Sequence, residues 1–527
     1  MTNKELIFKE NSTSNDNANK THTVIAYKYS NNKRQPLHES VILAGRPMFI
    51  RYKNGQVEAV EQIDEDSRIV RPPCSEECPY PVYEFAQLNE VETYINRAKN
   101  LATGIESLYS KLEEIVLKYV DQEEPIIILL VADIIWSYFQ DLFSTTHYIH
   151  ATGGNETGKS TIGFIFQYTG YRPVKATAIS AANYYRTLGA VEPGQCTIIE
   201  DEAENLEEDV EKLRILNGGY EYTSMIPKIN MNSKDQHQTW FYGYCLKIII
   251  SNKLLNPNKA KSLLERTLTF HCKPAVRNNL HSIKDVIINP PGDPIKQNLY
   301  QELMDFRKLM LCYRLIHYTD HIPDIDTGLR NRDKELGGPL LRIFSGSKAF
   351  GDIKYALEKF LAQRKDGIRK TIENILQRLI VELLFKNNTL ELSMEEIWNA
   401  LPSYIPGRFN PQNPNEFQTI EYGPLHRNTL SQKIESIDML GATRKRKSNG
   451  SVFVFDEVKI KELKKIYESK VQNDDRGEER NSDSYDQIEP NKREDVKTLD
   501  DRSEGREGSV SSEGTRVCGF VLEEIHE

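Results

Sequence analysis

The chain has 527 residues, of which 39% are hydrophobic and 28% are charged, and its formal net charge is −9 at pH 7. This length is enough for roughly two to four domains with sizeable cores, and the composition is typical of a soluble globular protein. The acidic balance excludes a protein that is positively charged over its whole surface, so any contact with nucleic acid must lie in a locally basic region.

The sequence predicts neither membrane association nor export. The longest apolar run, PIIILLVADIIW, is interrupted by Asp133 before it reaches the ~18 to 20 residues that a bilayer span needs, and it predicts a buried core helix. The polar N-terminus has no apolar signal region, so we expect a cytoplasmic protein. Seven scattered cysteines fit a reducing compartment. Cys74 and Cys78 match half of a zinc site, but no second close pair follows, which favours free thiols.

The residue pattern changes several times along the first half of the chain. Residues 1–21 are polar and predict disorder. Residues 22–83 alternate with period two around an Asn-Gly turn, which predicts a small β-rich domain. Residues 84–143 have helical periodicity. Residues 144–275 alternate short apolar runs with helical patterns, which predicts α/β units around a parallel sheet.

The second half begins with more helices. Residues 276–365 predict a helical region, and residues 366–468 predict helices followed by a hairpin. Residues 469–527 are highly charged and contain too few apolar side chains to offset the entropy of ordering, so they predict a disordered tail. The end of this tail, VCGFVLEEIHE, regains apolar character, and a frayed end is favoured over a docking peptide.

A glycine-rich segment, GGNETGKST, occupies residues 153–161. It matches G-x-x-x-x-G-K-[ST], a spacing that lets successive backbone N–H groups surround phosphate oxygens at the start of a helix. The apolar stretch before it and the helical pattern after it favour a P-loop over a chance glycine turn. We predict that Lys159 contacts the β- and γ-phosphates of ATP and that the Ser160 hydroxyl holds Mg²⁺. The predicted nucleotide-binding residues are Gly153, Gly154, Thr157, Gly158, Lys159, Ser160 and Thr161.

Acidic residues end the next apolar strand, in QCTIIEDEAENL. We predict that Asp201 lies in the outer coordination sphere of Mg²⁺ and that Glu202 polarises the attacking water. Glu200 leaves this register ambiguous by one position. A solvated acidic face is the alternative, but the P-loop upstream favours a Walker B motif.

Two further catalytic candidates follow. Asn252 ends the apolar strand of LKIIISNKLL and is predicted to orient the lytic water, with a turn-forming asparagine as the alternative. Arg266 precedes another apolar strand, in KSLLERTLTFHC. Its guanidinium is a fork of donors suited to the transition-state oxygens of a phosphoryl group, and a neighbouring subunit can supply it. A surface arginine in a salt bridge is the alternative.

The order of these parts, together with ATAISAANYYRTLGA and LNGGY between them, resembles AAA+ ATPases of the superfamily-3 and MCM-like helicase kind, in particular archaeal plasmid-type or viral replication ATPases. The resemblance covers about residues 120–345. It implies an α/β P-loop NTPase core with a helical lid, a hexameric ring, and ATP between subunits. It also implies that Asn252 is sensor 1, that Arg266 is an arginine finger donated across the interface, and that Arg332, or alternatively Arg330, is sensor 2.

The stretch YEYTSMIPKINMNSKDQHQTW, residues 220–240, lies where such ATPases project a DNA-gripping hairpin. Its available cations are Lys228 and Lys234. Because the segment has few basic residues and no aromatic-basic tip, hydrolysis is better supported by the sequence than DNA translocation.

The end of the folded region predicts a winged helix-turn-helix. SMEEIWNALPS and GPLHRNTLSQKIESIDMLGA each predict a helix, and TRKRKSNGSVFVFD predicts a hairpin with a basic first strand. A winged fold used for protein contacts is the alternative, but four successive cations in an acidic protein favour phosphate contacts. The predicted DNA-binding residues are Arg427, at the start of the recognition helix, and Arg444, Lys445, Arg446 and Lys447, in the wing.

These patterns predict an ATP- and Mg²⁺-dependent DNA motor that resembles a replicative helicase and acts as a homo-oligomeric, hexameric ring. Its expected parts are a small N-terminal β-rich and helical region, an AAA+-like core, a helical lid and a C-terminal winged helix. The alternative is a nucleotide-switched DNA-binding regulator or initiator without unwinding activity.

Overall fold

The computed structural model describes residues 22–23, 37–65, 68–189, 191–204, 206–229, 238–257, 259–288, 292–369, 372–419, 424–447 and 450–464. The two segments predicted to be disordered, residues 1–21 and 469–527, lie outside these ranges. The chain divides into two compact units, residues 1–457 and 458–527. In the second unit residues 458–464 are described.

Twenty strands are formed by the described residues. They are β1 (His22–Thr23), β2 (His38–Leu43), β3 (Arg46–Lys53), β4 (Gln56–Val60), β5 (Ile63–Glu65), β6 (Arg68–Arg71), β7 (Glu84–Phe85), β8 (Tyr148–Thr152), β9 (Pro173–Thr177), β10 (Thr197–Asp201), β11 (Met225–Ile229), β12 (Gln238–Tyr242), β13 (Lys247–Ser251), β14 (Thr267–His271), β15 (Glu391–Ser393), β16 (Gly407–Asn410), β17 (Asn413–Thr419), β18 (Pro424–His426), β19 (Thr443–Lys447) and β20 (Gly450–Val454).

Fourteen α-helices are formed by the same residues. They are α1 (Leu88–Lys99), α2 (Ile105–Leu117), α3 (Glu124–Ser137), α4 (Lys159–Thr169), α5 (Ala181–Gly189), α6 (Val210–Gly218), α7 (Lys261–Leu264), α8 (Ile283–Ile287), α9 (Pro294–His317), α10 (Asn331–Ile343), α11 (Ala349–Arg369), α12 (Ile372–Lys386), α13 (Met394–Ala400) and α14 (Arg427–Ser436).

The central element is a five-stranded parallel sheet with the order β14-β8-β13-β10-β9. Strands β8, β10 and β13 are buried along their whole length, as strands covered on both faces require. This confirms the α/β class and the parallel sheet predicted for this part of the chain. Because β13 lies between β8 and β10, the segments that follow these three strands meet at one edge of the sheet.

The apolar run after Pro125 forms α3, in which every residue from Ile126 to Ser137 is buried. The predicted core helix is therefore confirmed. The core around α3 includes side chains from the N-terminal strands, from the central sheet and from α9 to α11. Strands β2, β3 and β4 thus contribute to a hydrophobic core that also includes the central sheet. Among the described residues, no helix is both long and apolar enough to cross a bilayer.

A buried ion network links three parts of this unit. Glu39 in β2 accepts from Arg172 at 2.6 Å and from Arg314 in α9 at 2.7 Å. Arg314 also contacts Asp141 at 2.7 Å, and Tyr171 donates to Glu39 at 2.9 Å. Burial alone would raise the pKa of Glu39, but the two guanidinium groups outweigh it and lower that pKa. The charges are fully buried, so each depends on the others for compensation.

Local signals account for several other elements. The turn at Asn54 and Gly55, both with positive φ, joins β3 to β4 and confirms the predicted hairpin. Ser393 accepts from the backbone N–H of Glu396 in a capping box at the start of α13.

Cys74 and Cys78 are free thiols, and no group of three or more metal-ligating side chains occurs within the described ranges.

The C-terminal part differs from its prediction in two ways. The helix predicted over residues 423–442 is α14, which runs only from Arg427 to Ser436, because β18 pairs with β17 before it and Ile437 is extended after it. The three-stranded sheet β16-β17-β18, inserted between α13 and α14, was not predicted. The hairpin β19–β20 is confirmed, and β20 also pairs with β15.

Candidate active site

The loop between β8 and α4 has the backbone that a phosphate cradle requires. Gly158 has φ +77° and is the N-cap directly before α4, and Glu156 also lies in the left-handed region. A Cβ at Gly153 would lie 2.6 Å from the carbonyl oxygen of Cys272, so no other residue fits there. Thr157 donates its hydroxyl to the carbonyl of Gly154 at 2.9 Å and closes the loop. The N–H groups of the first turn of α4 therefore face a glycine-lined opening.

A glutamine that the sequence did not single out braces this loop. The side-chain amide of Gln122 donates to the carbonyl of Thr157 at 2.9 Å and to that of Lys273 at 2.8 Å. Its oxygen accepts from the backbone N–H of Lys273 at 2.9 Å. The P-loop is thereby tied to the segment that follows β14.

Lys159 reaches the neighbouring strand. Its Nζ donates to the carbonyl of Gly154 at 2.7 Å and to Oδ1 of Asn252 at 2.8 Å. Ser251 lies opposite Thr152 in the β13–β8 register, which brings Asn252 beside the P-loop. The backbone N–H of Asn252 donates to Glu204 at 2.5 Å, so an acid from the β10 loop fixes the position of this asparagine.

The acids at the end of β10 lie on opposite faces of the sheet. Glu200 is fully buried, where it accepts from Lys212 at 2.7 Å and from Tyr184 at 2.9 Å. Asp201 points to the other face and pairs with Lys175 of β9 at 2.8 Å. Both carboxylates thus have a defined lysine partner.

The face that carries Asp201 is the face against α4. A Cβ at Gly163 in α4 would lie 3.5 Å from Lys175 and 3.5 Å from Ile199, which shares its side of β10 with Asp201. Gly163 follows Ser160 by less than one helical turn. Ser160 and Asp201 are therefore on the same side of the sheet, whereas Glu200 is on the side away from the P-loop helix.

Glu202 is exposed just beyond β10. It has φ +54°, and its backbone N–H donates to Oδ1 of Asp201 at 3.1 Å. This left-handed conformation turns the chain out of the sheet directly after Asp201. Glu202 is thus placed at the same edge of the sheet as Lys159 and Asn252.

Arg266 lies at the amino ends of the parallel strands, opposite the carboxyl ends where the P-loop begins. It precedes β14, and its carbonyl accepts from the N–H of Tyr148 at the start of β8. The P-loop follows the far end of β8, about 13 Å away over four strand residues. The guanidinium carbon of Arg266 is 4.4 Å from the ring centre of Tyr220, and that of Arg332 is 4.7 Å from the same centre. Arg330, the other sensor 2 candidate, is exposed just before α10.

The candidate DNA-contacting segments lie elsewhere. Strands β11 and β12 form an antiparallel pair where the DNA-gripping hairpin was predicted. Lys228 is in β11, and Lys234 lies outside the described residues. In the C-terminal hairpin Arg444, Lys445 and Arg446 are exposed, and Arg444 donates to the Ser451 hydroxyl at 3.0 Å. Lys447 ends β19, and Arg427 begins α14 and is half-buried.

The site has the donors that ATP with Mg²⁺ requires. The glycine opening and Lys159 fit a triphosphate, the Ser160 hydroxyl is an oxygen ligand of the kind that Mg²⁺ prefers, and the Asp201 carboxylate lies on the same side of the sheet for the outer coordination sphere. Lys159 and Lys175 offset the negative charge of the acids. The residues therefore fit the predicted group.

No protein-family model and no curated protein matches this chain. Among solved structures, the C-terminal region of NrS-1 has 11% identity and a TM-score of 0.28, over 79% of this chain and 96% of that one. Drosophila ORC bound to DNA has 12% identity and a TM-score of 0.20, over 67% and 91%. An inhibitor-bound JCV helicase has 10% identity and a TM-score of 0.22, over 53% and 72%.

Proposed function

We propose that this protein is an ATP-hydrolysing motor that acts on DNA as a ring. One observation carries the proposal: at one edge of the parallel sheet the P-loop lysine meets Asn252, and Asp201 faces the P-loop helix. Lysine, carboxylate and amide are the groups that a γ-phosphate, its Mg²⁺ and an attacking water need together. The function is argued from this geometry.

Nucleotide binding is the first step. The N–H groups at the start of α4 and the ammonium of Lys159 bind the phosphates, and Lys159 exchanges its bond to Asn252 for a phosphate oxygen. Ser160, with Asp201 in the outer coordination sphere, would hold the Mg²⁺, which when bound would offset the charge that develops on the phosphate oxygens.

Hydrolysis needs an oriented water. Asn252, released from Lys159, orients that water toward the γ-phosphate, and Glu202 accepts its proton. Glu204 supports this role because it fixes the backbone of Asn252 through a bond of 2.5 Å. Glu200 takes no part, since its carboxylate is engaged by Lys212 and Tyr184 on the other face.

A ring explains the position of Arg266. This arginine lies at the sheet edge opposite its own P-loop, so it is not placed to act on the nucleotide of its own subunit. In a hexameric ring, one subunit's Arg266 reaches the ATP of the next and stabilises the transition-state charge.

DNA contact is assigned to the helices and the hairpin from α12 to β20, near the end of the first unit. The order α12, β15, α13, α14, β19, β20 is that of a winged helix, with the sheet β16-β17-β18 inserted. The exposed cations of β19 contact phosphates, and Arg427 lies at the end of α14 that approaches a groove.

The test is the rate of ATP hydrolysis by the full chain without DNA, with single-stranded DNA and with duplex DNA, beside a strand-separation assay. A motor is stimulated by single strands and separates a forked duplex. Hydrolysis that no DNA changes, without strand separation, would contradict the motor.

The nucleotide-switched regulator or initiator remains the second candidate, because the segment of β11 and β12 has few cations in its sequence. A variant with Arg444, Lys445, Arg446 and Lys447 replaced by serine separates the two. A motor keeps its stimulation by single strands, whereas a regulator that contacts DNA only through the hairpin loses it.

A further inference from the structure

The segment LNGGY ends in Tyr220, to which the proposed function assigns no role. Two arginines from distant parts of the sequence share its ring. The guanidinium carbons of Arg266 and Arg332 lie 4.4 Å and 4.7 Å from the ring centre. Both distances are within the range of a cation–π contact. One aromatic side chain thus brings together two cations that would otherwise repel each other.

Tyr220 is held by its backbone. Its carbonyl accepts from the N–H of Thr146 at 2.8 Å, and Thr145 forms a bridge with Glu221. A Cβ at Gly219 would lie 2.8 Å from Nζ of Lys247, which itself donates to three backbone carbonyls. Glycine is therefore required before Tyr220, and the ring is anchored to the amino edge of the central sheet.

The two arginines differ in their carboxylate partners. Glu335 pairs with Arg332 at 2.5 Å, and Asp333 pairs with Lys365 at 2.5 Å and also with Arg364. Arg266 has no carboxylate partner within the described ranges. Its Nη1 donates to the carbonyl of Ser262, and its Nε has no hydrogen-bond partner among the residues that the structure describes.

We propose that Tyr220 is a positioning residue, which holds the guanidinium groups of Arg266 and Arg332 as a pair and presents them to the nucleotide of the neighbouring subunit. This inference rests on the proposed function, because it requires a shared site. The ring face orients the guanidinium of Arg266 without occupying its N–H donors, so those donors stay available to phosphate oxygens, whereas Arg332 also bonds to the Tyr220 hydroxyl and to Glu335. Without the ring, Arg266 keeps only its contact to Ser262 and samples more rotamers.

The loss of the Tyr220 ring is expected to weaken stabilisation of the transition state for hydrolysis. Loss of the ring is expected to lower kcat about tenfold, since an exposed to partly desolvated cation–π contact is worth roughly that factor. The KM for ATP is expected to change much less, because the P-loop at the other edge of the sheet binds the ground state. Phenylalanine removes the hydroxyl that bonds to Arg332 but keeps the ring face against both guanidinium groups, and it is expected to restore kcat.

The experiment compares Tyr220→Leu, Tyr220→Phe and Arg266→Ala with Tyr355→Leu, a matched change at an exposed tyrosine of α11. Steady-state kcat and KM, the melting temperature and the affinity for a fluorescent ATP analogue are measured for each. We expect Tyr220→Leu to lose kcat at unchanged nucleotide affinity, and Tyr220→Phe and Tyr355→Leu to match the parent. If the leucine variant melts earlier, Tyr220→Met supplies a second side chain without a ring.

Mixing two variant subunits in one ring shows which subunit carries the defect. Lys159→Ala subunits hold no ATP but donate an intact arginine pair, so mixing them with Tyr220→Leu subunits is expected to recover activity. Full activity of Tyr220→Leu alone, or no recovery on mixing while Arg266→Ala does recover, would overturn the role of Tyr220. No recovery with Arg266→Ala would instead contradict the shared site of the proposed function. The two failures are therefore distinguishable.

Discussion

Nζ of Lys159 donates to Oδ1 of Asn252 at 2.8 Å, although the two residues are 93 positions apart. The contact follows from the strand order, which places β13 directly beside β8. A γ-phosphate that binds Lys159 competes with this amide. In the proposed function, nucleotide arrival and release of Asn252 are therefore a single exchange, and Asn252 becomes available to orient water when ATP is in place.

Lys159→Ala is expected to abolish nucleotide binding, because the neutral side chain removes the charge-assisted contact to phosphate. The loss in affinity is expected to be at least about tenfold, the effect of one hydrogen bond to a charged group. Titration of a fluorescent ATP analogue measures it. Lys348→Ala, at a lysine whose side chain is 89% exposed, is the control. Equal affinities in the two variants would remove Lys159 from the site.

Glu202→Gln is expected to keep ATP binding and to lower kcat about 100-fold or more, since glutamine cannot accept the proton of the attacking water. Single-turnover hydrolysis and analogue binding separate the two effects. Glu208→Gln is the matched control, because Glu208 is an exposed acid a short distance along the same loop. A variant that hydrolyses ATP at the parental rate would show that Glu202 is not the base.

Glu200→Gln is expected to act on stability. The change leaves Lys212 without its buried carboxylate partner, and breaking such a pair costs about 3 kcal/mol in the free energy of unfolding. Urea unfolding measures this loss, again with Glu208→Gln as control. The Mg²⁺ dependence of nucleotide binding in the folded variant is expected to match the parent. A changed Mg²⁺ dependence would shift the metal-binding assignment from Asp201 to Glu200.

Replacing Arg444, Lys445, Arg446 and Lys447 with serine is expected to weaken DNA binding for all sequences alike. The slope of log affinity against log salt concentration is negative. If all four side chains contact phosphates, the variant's slope is expected to be shallower by about 3.6. Fluorescence anisotropy over a salt series measures the slope. Serine replacements at Lys348 and Lys354, two lysines far along the chain from this hairpin, provide the charge control. An unchanged slope would remove the hairpin from the DNA footprint.

Asp305 gives a pH-dependent prediction. Burial raises its pKa, but bonds from Arg97 and Tyr94 outweigh this and lower the pKa to about 2, from 3.8. A carboxyl with a lowered pKa in the folded state adds stability above its unfolded pKa and loses it as pH falls toward the folded value. The melting temperature of Asp305→Asn is therefore expected to lie below the parent at neutral pH. The gap is expected to close between about pH 4 and about pH 2. A constant gap would contradict the assignment.

The sequence predicted what local patterns determine. The strand, glycine turn and helix around Lys159, the buried helix α3 and the hairpins β3–β4 and β19–β20 each have a signal within about 15 residues. The order of the strands could not be predicted from the sequence, because the pairing of β13 with both β8 and β10 joins residues that are far apart in the chain. The sheet β16-β17-β18 was missed because its segment, GRFNPQNPNEFQT, is polar and contains proline.

Parts of the site had no sequence signal. Lys175 is a single lysine in PVKAT, and only the β9–β10 pairing brings it to Asp201. Gln122 precedes its P-loop partner by 35 positions and belongs to no motif. The sequence could not decide whether Glu200 or Asp201 faces the P-loop helix. Alternate residues of a strand face opposite sides of the sheet, and only the packing of α4 shows which side carries this helix.

The carboxylate of Glu39 sets a limit on how this chain can be divided. A fragment that begins after residue 84 would keep Arg172 and Arg314 in the interior and remove the anion that both contact. Arg314 would keep its pairing with Asp141, but Arg172 would lose the carboxylate that it contacts, at a cost of several kcal/mol. The strand that carries Glu39 is therefore needed to neutralise the interior of the central unit, and a shortened chain meant to fold like the parent must include it.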